Sequence, residues 1–321
     1  MKTQLKLFGA AIAALSAFGP DLPASAADSS AGPFSIQASL LTPARISLGE
    51  PILIRYKLMN ASPQNALTHL GIYGTDWYTL TMRDSQGAVV PLIPDPRPTH
   101  PQGAYSSKSG FCRPGTSDID YIPVTRRLAI QHSGRYVLTI HARLPYVMDD
   151  TVTEATPEAL ATSSELVQTQ DIVFPILVTP ADPIHLQNIA EILRKASADG
   201  QDGQLELANM DALFSMPEAQ AAAEWRSLAM KPSMSTDAVV RELAELRSTT
   251  GADILAEMLN NPALARSCIS VSLNRLYNAG FPALREHIAG IARKHGFEMP
   301  EVAGTPYVPK EEQHAQDGVA F

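Results

Sequence analysis

From residue 52 to residue 59 the chain reads ILIRYKLM, with Ile52, Ile54, Tyr56 and Leu58 on one face and Leu53, Arg55, Lys57 and Met59 on the other. A period of two predicts a half-buried strand. Residues 77–93, WYTLTMRDSQGAVVPLI, predict a strand, a turn at 84–87 and a second strand. SGRYVLTIHARL (133–144) places Tyr136, Leu138, Ile140 and Ala142 on one face of another strand. DIVFPILV (171–178) predicts a further one, in which Pro175 lacks a ladder donor and so belongs at an edge or bulge. Two stretches without period, 94–120 and 145–170, predict long loops.

The rhythm changes at TPADP, 179–183. Asp182 followed by Pro183 predicts a helix start, a side-chain cap with proline in the first turn. Leu186, Ile189, Ala190 and Leu193 then recur at helical spacing, and Gly200 is a stop signal. Helices are expected near 203–214 and 217–230. Another is expected behind Ser235, carrying Val239, Leu243 and Leu246. The run Thr250-Gly-Ala-Asp253 has capping-box form and predicts the next start, with Ile254, Leu255, Met258 and Leu259 on its apolar face. Asn260-Asn261-Pro262 and Asn278-Ala-Gly-Phe-Pro282 are breaks. The helices between and after them carry Leu264, Cys268, Ile269, Leu273 and Leu276, then Leu284, Ile288, Ile291 and Ala292. Helices of three to five turns are marginal alone in water, so each apolar stripe needs a neighbour.

These patterns predict an all-β antiparallel sandwich over 33–180, an all-α domain over 181–297, and a flexible tail over 298–321. At SGRYVLTI the chain resembles the immunoglobulin-like modules of secreted bacterial proteins. That resemblance implies a packing role for Gly134 and a corner-capping role for Tyr136. Residues 235–296, with GADILAEMLNNPALA and GFPALREHIAGIARKHG as repeat-like units, resemble HEAT or armadillo-type repeats. That resemblance implies a helical-repeat domain acting as a protein-binding scaffold, with an irregular bundle as the alternative.

Composition adds an address. Lys2 and Lys6 precede the apolar run LFGAAIAALSAF (7–18), then Gly19-Pro20 and the small-residue run Ala24-Ser25-Ala26. This is the order of a secretory signal peptide, expected over 1–26 with cleavage between Ala26 and Ala27. Residues 27–32 would be a flexible N-terminus. The expected location is periplasmic or secreted, in a bacterium, with no membrane insertion of the mature chain. The 321 residues carry a formal net charge of −8 and no basic block, which argues against nucleic acid as a partner. The two cysteines, Cys112 and Cys268, read more readily as free thiols than as a disulfide, although their pairing is not decided by the sequence.

Chemistry is sparse. None of the eight histidines forms a metal-ligand spacing with a close partner, and no nucleophile elbow or phosphate loop occurs. Asp118 and Asp120 share one face of an extended segment, which reads as solvated charge before calcium. No metal, cofactor or catalytic residue is expected. Two surfaces stand out as binding candidates. Tyr73 and Trp77 in GIYGTDWY could stack on a ligand or fill the core. Residues 262–296 carry Arg266, Arg275, Arg285, Arg293 and Lys294 against Glu286 alone, a local +4 in an acidic chain. Arg275, Arg285 and Arg293 on one face would receive an acidic partner. The expected function is an exported, non-enzymatic protein-interaction scaffold that binds a protein or peptide of the cell envelope. A glycan-binding module using Tyr73 and Trp77 is the second reading. A hydrolase whose site is dispersed, with His100, His132 and His141 converging, is the third.

Overall fold

The structure is a computed structural model. It describes residues 25–26, 32–70, 78–93, 108–148, 166–198, 203–231, 236–264, 266–297 and 299. The chain divides into two compact units, Met1–Ala221 and Ala222–Phe321.

Among the described residues the first unit holds ten strands: β1 (Ser25–Ala26), β2 (Phe34–Leu40), β3 (Arg45–Ser47), β4 (Leu53–Asn60), β5 (Ala66–Leu70), β6 (Tyr78–Asp84), β7 (Lys108–Cys112), β8 (Ser117–Pro123), β9 (Gly134–Met148) and β10 (Leu166–Thr179). One sheet runs β2-β4-β8. The other runs β1-β10-β9-β5-β7, with β6 also on β9 and β3 also on β10. Alternation predicts the inner faces well. Ile54, Tyr56 and Leu58 of β4 and Leu138, Ile140 and Ala142 of β9 are all buried in one core shared by the two sheets. The corner contact at Tyr136 is also present: its hydroxyl donates to the His132 carbonyl at 2.8 Å.

Seven α-helices follow among the described residues: α1 (Pro183–Ala198), α2 (Gly203–Phe214), α3 (Glu218–Ala229), α4 (Thr236–Glu245), α5 (Thr249–Met258), α6 (Arg266–Ala279) and α7 (Pro282–His295). Asp182 caps α1 as its sequence predicts, accepting from the backbone N–H groups of Ile184 and His185 at 3.1 Å each. At α5 the prediction is two residues off. The cap is Ser248, whose hydroxyl accepts from Gly251 N–H at 3.1 Å, so Thr250 already lies inside the helix.

The expected fold class needs correction on both halves. The larger sheet is mixed and not antiparallel throughout, because β3 runs parallel to β10. The chain must turn sharply after β3 to begin β4, and it does so at Gly49, φ +93°. Ile46 stays buried in the core, and Leu48 N–H bonds Thr179 O at 2.9 Å. The chain is thus an α and β mixture and not an Ig-like sandwich followed by HEAT-like repeats. The helices vary from 10 to 16 residues. α2 packs against α1 and also against β8 and the 3₁₀ turn Val124–Arg126, so it is not held by helices alone. An Arg126–Asp211 ion pair at 2.7 Å fixes that contact.

The loop predictions also need correction. Residues 94–120 were expected to be irregular, but β7 and most of β8 lie there, joined by a turn at Gly115, φ +73°. β9 and β10 extend into 145–170 from both ends. Conversely, the second strand expected before residue 93 is reduced to isolated bridges, Arg83 with Val89 and Leu92 with Leu128.

Candidate partner-binding surface

In the second unit the joint between α6 and α7 is built for rigidity. α6 ends at Ala279, Phe281 is the extended N-cap residue of α7, and Pro282 opens the helix. Proline there costs no hydrogen bond, since the first turn's N–H groups have no intrahelical partner. Arg285 closes the joint from α7. Its Nε donates to Tyr277 O at 3.1 Å and its Nη2 to Asn278 O at 3.2 Å. These are carbonyls in the last turn of α6, the end of the helix that attracts a cation. α7 then stops at Gly296, whose φ of +70° is the left-handed cap glycine adopts easily. A hydrogen bond between His287 Nε2 and Asp253 Oδ1, 2.7 Å, links α7 to α5.

Within this frame Phe281 is 70% exposed. As an N-cap it belongs to neither helix's buried stripe, so the geometry that makes the joint stiff also holds the ring in water. On α6 the positions Val271, Arg275 and Asn278 follow at i, i+4 and i+7 and are all exposed. The stripe therefore runs from an apolar side chain through a cation to the residue whose carbonyl Arg285 grips, next to Phe281.

The predicted arginine trio is only partly united. Arg275 lies one turn before Asn278, so Arg275 and Arg285 belong to the same joint. Arg293 is exposed but sits eight residues beyond Arg285, roughly 80° around the helix and about 12 Å along it. Arg285 is half-buried and spends donors on α6, which makes it a brace as much as a docking charge. Phe281 and Val271 were not singled out from sequence. The available signal was the Phe-Pro dipeptide in a break, where the aromatic has no helix face to share.

Other candidates fall as follows. Tyr73, Trp77 and His100 lie outside the described residues. His132 is exposed just before β9. His141 is on the outer face of β9, where it pairs with Asp171 at 2.8 Å. From the start of β9 to His141 is seven residues, about 23 Å of strand, so these two histidines do not converge. Asp118 and Asp120 each accept from the backbone N–H of the following residue. Among the described residues no group of three His, Cys, Asp or Glu side chains could hold a metal ion, and no helix is long and apolar enough to cross a membrane. Ser25 and Ala26 form β1 against Val173 and Ile172, and Ala27 lies outside the described residues. Both cysteines are free thiols. Burial pushes the Cys112 thiol up, with Thr68 opposing and Asp118 adding to it.

No protein-family model and no curated protein matches this chain.

Proposed function

We propose that this chain is an exported, non-enzymatic binding protein of the bacterial cell envelope, and that its second unit docks an acidic segment of a partner protein at the α6–α7 joint. The observation that carries the reading is Phe281, 70% exposed on a joint braced by Arg285 and opened by Pro282. Aromatic and arginine side chains supply a large share of interface energy when they sit together on a rigid frame. Ordering them costs little here, because Arg285 is already fixed. The local excess of positive charge over 262–296, against −8 for the chain, favours an acidic partner.

Export rests on the leader-like order of residues 1–26 and is tested separately. The mature protein, recovered from the periplasm or medium, should begin at Ala27. An intact Met1 on the cell-associated protein would remove the envelope from the reading.

Docking is tested with residues 27–321 as bait in an envelope extract, followed by titration of the captured partner. Phe281→Ala and Arg275→Glu should each weaken binding at least about tenfold, the range of a truncated hot spot. Capture unchanged in both variants would remove this surface.

A further inference from the structure

The first unit contains a cavity of about 250 Å³ that the proposed docking surface does not use. Its walls are mostly apolar, with Ile46, Leu128, Ile130, Val178, Met216 and Pro217 among them. Four polar side chains on its lining matter: Ser47, Glu50, Thr125 and Ser215. Glu50 is 2% exposed. A carboxylate so deep in an apolar wall needs a compensating donor or a cation.

Counting protons shows what the cavity offers. Ser215 Oγ donates its only proton to Ala212 O at 2.7 Å. In the 3.1 Å contact between Thr125 Oγ1 and Ser215 Oγ, Thr125 must therefore be the donor. Thr125 Oγ1 in turn accepts from Ile52 N–H at 3.3 Å. Both hydroxyl protons are spent, and each oxygen keeps lone-pair capacity. The backbone N–H groups of Glu50, Ala129, Ile130, Ser215 and Met216 are also committed to carbonyls elsewhere. Glu50 accepts from Ser47 N–H and pairs with His185 Nε2, both at 2.9 Å and both through Oε2. Its other oxygen, Oε1, is left to take a ligand. Ser47 alone among these side chains retains a hydroxyl proton that can turn either way.

We infer that this cavity is a binding site for a small organic ammonium ion with a compact hydrocarbon body. An acceptor-rich lining with one buried carboxylate suits a group that has only protons to give. The apolar wall suits the hydrocarbon. A carboxylate ligand would meet Glu50 with like charge, and a neutral alcohol could donate to Oε1 but would bring no opposite charge. His185 Nε2 and Ser47 N–H both meet Glu50 at Oε2, so an ammonium group in the cavity would be met by Oε1.

The test uses the mature chain and three matched probes: cyclohexylammonium, cyclohexanol and cyclohexanecarboxylate. Binding is followed by NMR shifts of the methyl groups of Ile46, Leu128, Ile130 and Met216. Cyclohexylammonium should saturate these shifts at least about tenfold more tightly than cyclohexanol, and the carboxylate should not bind. Glu50→Gln keeps an acceptor for Ser47 N–H but removes the charge, and should cost at least tenfold in ammonium affinity. Should that variant not fold, Ala129→Leu decides, because it narrows the cavity without touching the polar cluster and should abolish the same shifts. Equal affinity for the ammonium and the alcohol, no saturable shifts with wild type, or undiminished binding in Ala129→Leu would each overturn the inference. None of these results bears on the α6–α7 surface, which lies in the other unit.

Discussion

Single side chains in this protein separate stability from the proposed recognition. Phe281 is mostly in water, so Phe281→Ala should change the free energy of unfolding by no more than about 0.5 kcal/mol while partner binding collapses. Arg285→Ala should behave differently. It deletes two hydrogen bonds to the end of α6, so the second unit should lose about 1–2 kcal/mol in a urea titration as well as affinity. Tyr56 makes a pH prediction. Burial, and then Asp120 opposite it on β8, push its phenol far above the usual value of about 10. The unfolded state then releases that proton first. Stability linked to Tyr56 is complete below about pH 10 and is lost as pH rises beyond it. Melting temperatures measured from pH 9 to 12 should fall, and Tyr56→Phe should flatten the fall; parallel curves would place the alkaline loss elsewhere. Cys112, buried with its thiol pushed up, should resist a thiol reagent in the native state, whereas the half-buried Cys268 should react.

At the scale of elements, legibility followed period and punctuation. Strands β4 and β9 were readable because their apolar residues alternate without interruption, and α1 because Asp182-Pro183 marks its start. β7 and β8 were missed because Pro114 and Gly115 between them look like loop, and because Asp118 and Asp120 interrupt the apolar signal of β8. The cap of α5 was misplaced because three successive hydroxyl residues, Ser248, Thr249 and Thr250, compete, and the approach of α4 to this end is not visible in the sequence. That approach is close: a Cβ on Gly251 would lie 2.5 Å from the Leu243 carbonyl oxygen. In an open helix Gly→Ala stabilises by roughly 0.5–1 kcal/mol. Here the sign should reverse. Gly251→Ala should destabilise the second unit by about 1–3 kcal/mol, since α4 and α5 must move apart. A stabilised variant in chemical denaturation would contradict the α4–α5 packing.

For the whole molecule, the sequence showed a change of architecture near residue 182 but not how the layers share their cores. α1 and α2 carry helical periods, yet they belong to the same compact unit as the sheets, and the division falls inside α3. Periodicity reports that a face is covered; it does not report whether a helix or a sheet covers it. The parallel pairing of β3 with β10 was equally hidden, because a three-residue strand has no period to read and its partner is more than a hundred residues away. The candidate surface was half legible: charge pointed to 262–296, whereas the exposed ring at its centre depended on the geometry of the joint. The central claim is that this joint recognises an acidic protein segment. The most direct measurement is the affinity of the captured partner for wild-type, Phe281→Ala and Arg275→Glu proteins by calorimetry, with unfolding curves recorded for each. The account predicts unchanged unfolding for Phe281→Ala, at least about tenfold weaker binding in both variants, and weaker wild-type binding as salt rises. Full affinity in both variants, with the same salt response as wild type, would contradict it.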